Sequence, residues 1–342
     1  MAMSCDAPAS PPGHGGRLNA AARHWGIPRE QWLDLSTGIN PVAWPVPQLP
    51  ETIWQRLPEE DDGLAESIRL WCGAPADACC LPVAGSQAAI QALPQLLPRC
   101  RVGIPVPGYR EHGYWWRKSG HQVAPIPLEG GATGDDWLDA LDWLVWIHPN
   151  NPTGLTLPVQ QLELWRRKLA ARGGGLVVDE AFVAPGSKAS LAAMAGRPGL
   201  IILRSLGKFF GLAGVRAGAV LGPEALLMSL SERLGPWAMS GPARHVMARA
   251  LADTDWQTET LERLVRDSER LRRLLADTGL GESSGTILFR YLVTPDAGAI
   301  HQALARQGVL VRLFKSPSAL RFGLPGSETE WQRLALALGK CH

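Results

Sequence analysis

The chain has 342 residues, 46% hydrophobic and 19% charged, which fits a globular protein with a large domain and a smaller one. Lys and Arg number 34 against 32 Asp and Glu, so the formal charge of +2 gives no electrostatic case for nucleic acid or an anionic membrane as a partner. No apolar run approaches the ~20 residues that span a bilayer, and the first twelve residues have neither the basic start nor the apolar stretch of a signal peptide. Residues 1–40 carry too little apolar surface for a core of their own, so they are expected to pack near the small domain. Over 41–223, short apolar runs alternate with helical ones. The pattern predicts helix Gln87–Leu97, strand Val102–Val106, helix Tyr109–Lys118, strands Gln122–Ile126 and Trp143–Ile147, and helix Val159–Ala171. Strands Leu176–Val178, Gly199–Leu203 and Ala217–Leu221 follow. Such alternation implies βαβ units and a mostly parallel sheet, with ligands beyond the strand ends. Residues 224–342 read as a small α/β domain: helices Ala225–Arg233 and Thr258–Ala276, strand Ile287–Val293, helix Ala297–Arg306, strands Val309–Leu313 and Ala319–Gly323, and helix Glu328–Leu338.

Four segments carry chemistry. In Arg204-Ser-Leu-Gly-Lys-Phe-Phe-Gly-Leu-Ala-Gly-Val-Arg216, Lys208 follows an apolar strand in a Gly-rich loop. Ser205 and Arg216 flank it, and both can reach one anion beside the lysine; arginine's planar fork suits phosphate. Cations nearby disfavour the ammonium form, which is how a nucleophilic lysine is made. Asn151, in His148-Pro-Asn-Asn-Pro-Thr-Gly154, follows a strand; taken alone that stretch also reads as a turn. Asp179 ends a buried apolar strand, where a carboxylate needs a cation or hydrogen bonds; a structural ion pair or helix cap is the plainer alternative. Gly85-Ser86-Gln87 opens a helix, whose free N–H groups can face an anion or merely be capped by the serine. The six cysteines, Cys5, Cys72, Cys79, Cys80, Cys100 and Cys341, lack metal-site spacing, so reduced thiols in a cytoplasm and no bound metal are expected. The 14 Trp against 3 Tyr have no functional account in the sequence.

In this order the segments resemble the fold-type I pyridoxal-phosphate (PLP) enzymes, an aspartate-aminotransferase-like α/β fold, and the histidinol-phosphate aminotransferase branch of class I/II in particular. The resemblance covers most of the chain. It implies that Gly85, Ser86, Gln87, Ser205 and Arg216 hold the cofactor phosphate. Asn151 would meet the phenolic oxygen, Asp179 the pyridinium nitrogen, and Lys208 would form the Schiff base. Tyr109, in Pro107-Gly-Tyr-Arg-Glu-His112, would stack on the ring, with His112 the second candidate. Arg321 matches the arginine that takes the substrate carboxylate.

Two N-terminal stretches, His14-Gly-Gly-Arg-Leu18 and Asp34-Leu-Ser-Thr-Gly-Ile-Asn-Pro41, resemble the threonine-phosphate decarboxylases of cobalamin biosynthesis. That resemblance implies a phosphorylated amino acid as substrate, a homodimer, and substrate contacts from His14, Ser36, Gly38, Asn40, Asn151, Arg312 and Arg321. His14 and Arg312 are both candidates for the substrate phosphate. Aminotransferases of this branch usually have Tyr where Phe182 stands. Many relatives have Tyr at Leu57, reaching the neighbouring subunit's cofactor. Transamination of a compound such as histidinol phosphate is the alternative activity. A PLP-fold protein that only binds would show a damaged site, yet Lys208, Asp179, Asn151 and Arg216 are all present.

Overall fold

The computed structural model describes residues 11–128 and 135–341; the expectations for residues 1–10, Cys5 among them, lie outside these. Its strands are β1 (Leu33–Asp34), β2 (Cys79–Val83), β3 (Arg101–Val106), β4 (Gln122–Pro127), β5 (Trp143–Ile147), β6 (Gly175–Asp179), β7 (Leu200–Ser205), β8 (Gly218–Gly222), β9 (Ser284–Thr286), β10 (Phe289–Val293), β11 (Val309–Leu310), β12 (Arg312–Lys315) and β13 (Ser318–Gly323). The helices are α1 (Leu18–Trp25), α2 (Thr52–Gln55), α3 (Leu64–Cys72), α4 (Ser86–Ala92), α5 (Arg110–Lys118), α6 (Val159–Ala170), α7 (Glu224–Leu234), α8 (Gly241–Ala252), α9 (Thr254–Asp277), α10 (Ala297–Arg306) and α11 (Glu328–Leu338).

A seven-stranded sheet in the order β2-β8-β7-β6-β5-β3-β4 forms the large layer. All its strands run parallel except β8, which is antiparallel to both neighbours. The central strands β5, β6, β7 and β8 are mostly apolar because both faces are covered. Leu144, Trp146, Leu176, Val178, Leu200 and Ile202 enter one core, while Val145, Val177, Ile201 and Leu203 enter the other. That alternation is the two-residue period of a strand read on a sheet with no wet face. Trp32, Trp44, Trp116, Trp146, Trp165 and Trp331 are buried, so much of the tryptophan excess is core volume.

The sequence pattern marks no strand at β2. Its Cys-Cys-Leu-Pro-Val run is half-buried and carries Pro82, which cannot donate to a ladder; the strand lies at the sheet edge, where proline is tolerated. The helix expected over Gln87–Leu97 stops at Ala92 and tightens into a 3₁₀ turn at Leu93–Gln95, because Pro94 cannot continue it. Helix α8 is likewise unmarked in the sequence pattern. Ser240 caps it, accepting from Ala243 N, and Asp253 caps α9 by accepting from Trp256 N.

A four-stranded antiparallel sheet, β12-β13-β10-β9, lies in the C-terminal part. The strand expected over Val309–Leu313 divides. Its first half, β11, pairs in parallel with β1 of the N-terminal segment, and its second half, β12, pairs with β13. This division fixes the site, because it sets Arg312 directly across the ladder from Arg321.

Candidate active site

The parallel strands deliver their chemistry at their C-terminal ends, as open α/β sheets do. Asp179 is the last residue of β6 and Ser205 the last of β7; Tyr109 follows β3, Asn151 follows β5 and Ser86 follows β2. They surround an inner cavity of about 110 Å³, lined also by Gln87, Ala181, Phe182, Lys208 and Arg216. An outer cavity of about 190 Å³ shares Tyr109, Asn151, Phe182 and Lys208, and is closed by residues 12–15, Ser36, Gly38, Arg110, Arg312 and Arg321.

Lys208 stands between the two. Burial pushes its amine down to about 8, the Arg321 charge adds to that, Asp179 opposes it, and Arg216 lowers it further. Its loop is held from the N-terminal segment, since Asn40 N donates to Lys208 O at 3.0 Å. The Asn40 side chain braces the same loop. Its amide donates to Phe209 O at 2.8 Å, and its oxygen accepts from Val42 N and Arg263 Nη2. Asn40 lines neither cavity and braces the loop that carries Lys208.

Asp179 is buried. His112 Nε2 lies 2.8 Å from its Oδ2, and Ala181 N donates to Oδ1 at 3.1 Å. His112 therefore sits on Asp179, whereas Tyr109 lines both cavities. The neighbour of Asp179, Glu180, forms a buried ion pair of its own: it accepts from Arg204 Nη1 at 2.9 Å, Ser190 Oγ at 2.6 Å and Leu191 N at 2.6 Å.

Gly85 and Arg216 are fitted to each other. Gly85 has φ +76°, and a Cβ there would stand 2.7 Å from Arg216 Nη2. Arg216 itself adopts the left-handed φ of 56°, costly for a residue with a Cβ and bringing its guanidinium to the start of α4. The first N–H groups of a helix, a hydroxyl and a guanidinium thus face one small space beside Ser205, a donor set suited to a phosphate.

At the other end Arg321 is buried, donating to Asn151 Oδ1 at 2.5 Å and to Ser36 O at 2.9 Å, with its Nε unpartnered among the described residues. Gly38 is tight against the site: a Cβ would meet Phe289 at 2.9 Å and Phe182 at 3.0 Å. The Ser36 hydroxyl donates to Asp34 Oδ1 at 2.6 Å and accepts from Gly16 N at 2.7 Å. His14 pairs with Glu111 at 2.8 Å, and Arg312 donates to Gly13 O. Phe182 packs edge-on against Phe289, and the Lys208 amine lies 5.5 Å from its ring centre. Glu111 has no role in the sequence motifs. Its one signal there is a Glu four residues before Trp115 on a helix beside Tyr109, a spacing that puts the two on one face.

The family model described as aminotransferase class I and II matches residues 73–339. The chain belongs to the class I and II aminotransferase family. Among family members it is 50% identical over 325 residues to a threonine-phosphate decarboxylase of Pseudomonas aeruginosa, covering 95% of this chain and 96% of that one. It is 38% identical over 336 residues to a threonine-phosphate decarboxylase of a Sinorhizobium species, covering 96% and 97%. In three dimensions it matches the histidinol-phosphate aminotransferase of Sinorhizobium meliloti, solved with pyridoxal-5'-phosphate, at a TM-score of 0.81 and 21% identity over 99% of this chain and 98% of that one. The L-threonine-O-3-phosphate decarboxylase of Porphyromonas gingivalis gives a TM-score of 0.73 at 20% identity, over 89% and 97%. Identities this low carry the fold alone. That fold is fold type I of the PLP-dependent enzymes, with the mostly parallel sheet and the smaller second sheet expected of class I and II members. No helix among the described residues is long and apolar enough to cross a membrane.

Proposed function

We propose that the chain is a PLP-dependent carboxy-lyase that converts L-threonine O-3-phosphate to (R)-1-amino-2-propanol O-phosphate, a step of cobalamin biosynthesis. The observation that carries this reading is the pairing of Arg312 with Arg321 across β12 and β13. Like charges directly opposite on a ladder destabilise it. Burial lowers Arg321 to about 10, with Arg312 the next cause, and Arg312 is lowered by burial and then by Arg110 and Arg17. Such a cluster is offset by a ligand with two anionic ends. An amino acid bearing a phosphate has them, and two relatives matched over nearly their whole length carry the name threonine-phosphate decarboxylase.

The residues fit the cofactor. Ser86, Gln87, Ser205 and Arg216, with Gly85 left bare for close approach, would hold its phosphate. Asp179 would pair with the ring nitrogen, Asn151 with the phenolic oxygen, and Tyr109 would cover the ring. When bound, PLP supplies an electron sink for the bonding pair released at substrate Cα. Lys208 supplies the amine that anchors it and then holds or moves a proton at Nζ. With a pKa of about 8, roughly a tenth of this amine is neutral at pH 7. Arg321 with Asn151 takes the carboxylate, and Arg312 takes the phosphate. Fixing both ends lets remote binding energy set the rotation about Cα, and so which bond breaks. Phe182 offers no hydroxyl near the Lys208 amine. A homodimer and a cytoplasmic location are also part of the proposal; the exposed Trp54, Leu57 and Trp237 are side chains that a partner subunit could cover.

The test is a product assay. Protein with PLP and L-threonine O-3-phosphate, and no keto acid, is expected to release carbon dioxide and aminopropanol phosphate in equal amounts. No release, with conversion of histidinol phosphate once 2-oxoglutarate is added, would move the assignment to an aminotransferase. Arg312→Ala is expected to raise KM for threonine phosphate about 10–100-fold, the loss of hydrogen bonds to a charged group. Its KM for unphosphorylated threonine should stay within about threefold, and an equal rise for both would remove Arg312 from the phosphate.

A further inference from the structure

One buried carboxylate in this site has no place in the chemistry above. Glu111 lies in the first turn of α5, and its Oε2 accepts from Gln87 Nε2 and from Trp115 Nε1, each at 2.8 Å. Its Oε1 lies 2.8 Å from His14 Nε2. Gln87 in turn accepts from the Tyr109 hydroxyl at 3.1 Å. The three partners of Glu111 come from α4, α5 and the N-terminal segment, and Tyr109, just before α5, joins them through Gln87. They join the inner cavity, lined by Gln87 and Tyr109, to the outer one, lined by His14 and Tyr109.

We propose that Glu111 is a positioning residue that sets His14, and with it the N-terminal strap, against the substrate compartment and ties that setting to the cofactor end through Gln87. The inference rests on the proposed decarboxylase reading for its substrate. A carboxylate can only accept hydrogen bonds, so the His14 nitrogen facing it carries the proton and the tautomer is fixed. Nδ1 remains as the ring's other polar atom. The strap has two further ties: Arg312 to Gly13 O, and Gly16 N to Ser36 Oγ at 2.7 Å. Gly15 lies so close that a Cβ would stand 2.3 Å from Ser36 O, the same carbonyl that accepts from Arg321. Both arginines assigned to the substrate therefore touch the strap or its seat. Glu111 is the one buried carboxylate in contact with it among the described residues, and its loss would be felt at the mouth of the site rather than at Lys208. A purely structural Glu111, serving only Gln87 and Trp115, would cost stability without acting through His14.

The experiment compares wild type, Glu111→Gln, His14→Ala and the double variant as PLP-loaded proteins, with cofactor absorbance and melting temperature confirming that each is folded and loaded. Kinetics on threonine phosphate and amide hydrogen exchange of residues 13–17 without substrate are both read. Glu111→Gln and His14→Ala are each expected to raise KM about tenfold, the size of one charge-assisted hydrogen bond. Their kcat should stay within about threefold, and the double variant should be no worse than His14→Ala, since coupled residues do not add. The Gly16 amide should exchange about tenfold faster in both single variants, as release of one such bond allows. Additive losses in KM, or wild-type exchange in both variants, would overturn the proposal. Should Glu111→Gln fail to load, His14→Ala alone tests the tie: unchanged exchange at Gly16 refutes it. A wild-type protein inert on threonine phosphate would sink the decarboxylase reading while leaving the exchange result to judge Glu111. Turnover with an unaltered strap would do the reverse.

Discussion

Lys208→Ala is expected to abolish decarboxylation of threonine phosphate, by about 10⁴-fold or more, the upper range for losing a positioned proton-transfer group together with the covalent anchor. The variant should still bind PLP, because Ser86, Ser205 and Arg216 are untouched, but without the absorbance band of a lysine-linked cofactor. The amine's pKa of about 8, against an ordinary 10.5, adds a signed pH dependence. Only the neutral amine has a free electron pair. Reaction of the cofactor-free protein with PLP should therefore quicken as pH rises toward 8 and level off above it. Stopped-flow absorbance from pH 6 to 10 checks this. A rate still climbing steadily at pH 10 would describe an exposed, unassisted lysine and contradict both its burial and the Arg321 field. Retained turnover in Lys208→Ala would remove the lysine from the chemistry altogether.

The large sheet is legible in the sequence because its central strands are short, mostly apolar runs, and its helices carry plain periodicity. What stays hidden shares a cause. The strand Cys79–Val83 is an edge strand with a proline, so neither composition nor alternation marks it. The break at Val311 obeys no local signal: Val309–Leu313 is uniformly apolar or long-chained, and only pairing with Leu33–Asp34 on one side and Ser318–Gly323 on the other divides it. In the site, Lys208, Asp179, Asn151 and Arg216 stand out by motif, and the structure brings all four to one cavity. The bracing role of Asn40 is not legible, because a polar residue in a Gly-Ile-Asn-Pro turn carries no sign of the distant loop of Lys208 that it ties. Glu111 escapes because its partners, His14 and Gln87, lie 97 and 24 residues away. Only its contact with Trp115, four residues on, leaves a spacing to read.

Asp179→Ala is expected to lower kcat about 10²–10³-fold, the size of losing one preorganised electrostatic contact at a reacting centre. Cofactor affinity should fall about tenfold or less, because Arg216, Ser205 and Ser86 would still hold the cofactor phosphate and one charge-assisted contact is lost. The asymmetry follows from position. A carboxylate at the end of β6, 4% exposed and braced by His112 and Ala181 N, is held rigidly in a water-poor space. There a fixed charge counts for far more than it does in water. Asp179→Asn separates charge from shape, since the amide oxygen can keep the Ala181 contact while the negative charge is gone. If the carboxylate keeps the ring nitrogen protonated, asparagine should be nearly as slow as alanine. Recovery of near wild-type kcat in Asp179→Asn would mean that Asp179 only seats His112, and unchanged kcat in Asp179→Ala would place the ring nitrogen elsewhere. Steady-state kinetics alongside equilibrium titration of PLP reads both quantities on the same variants.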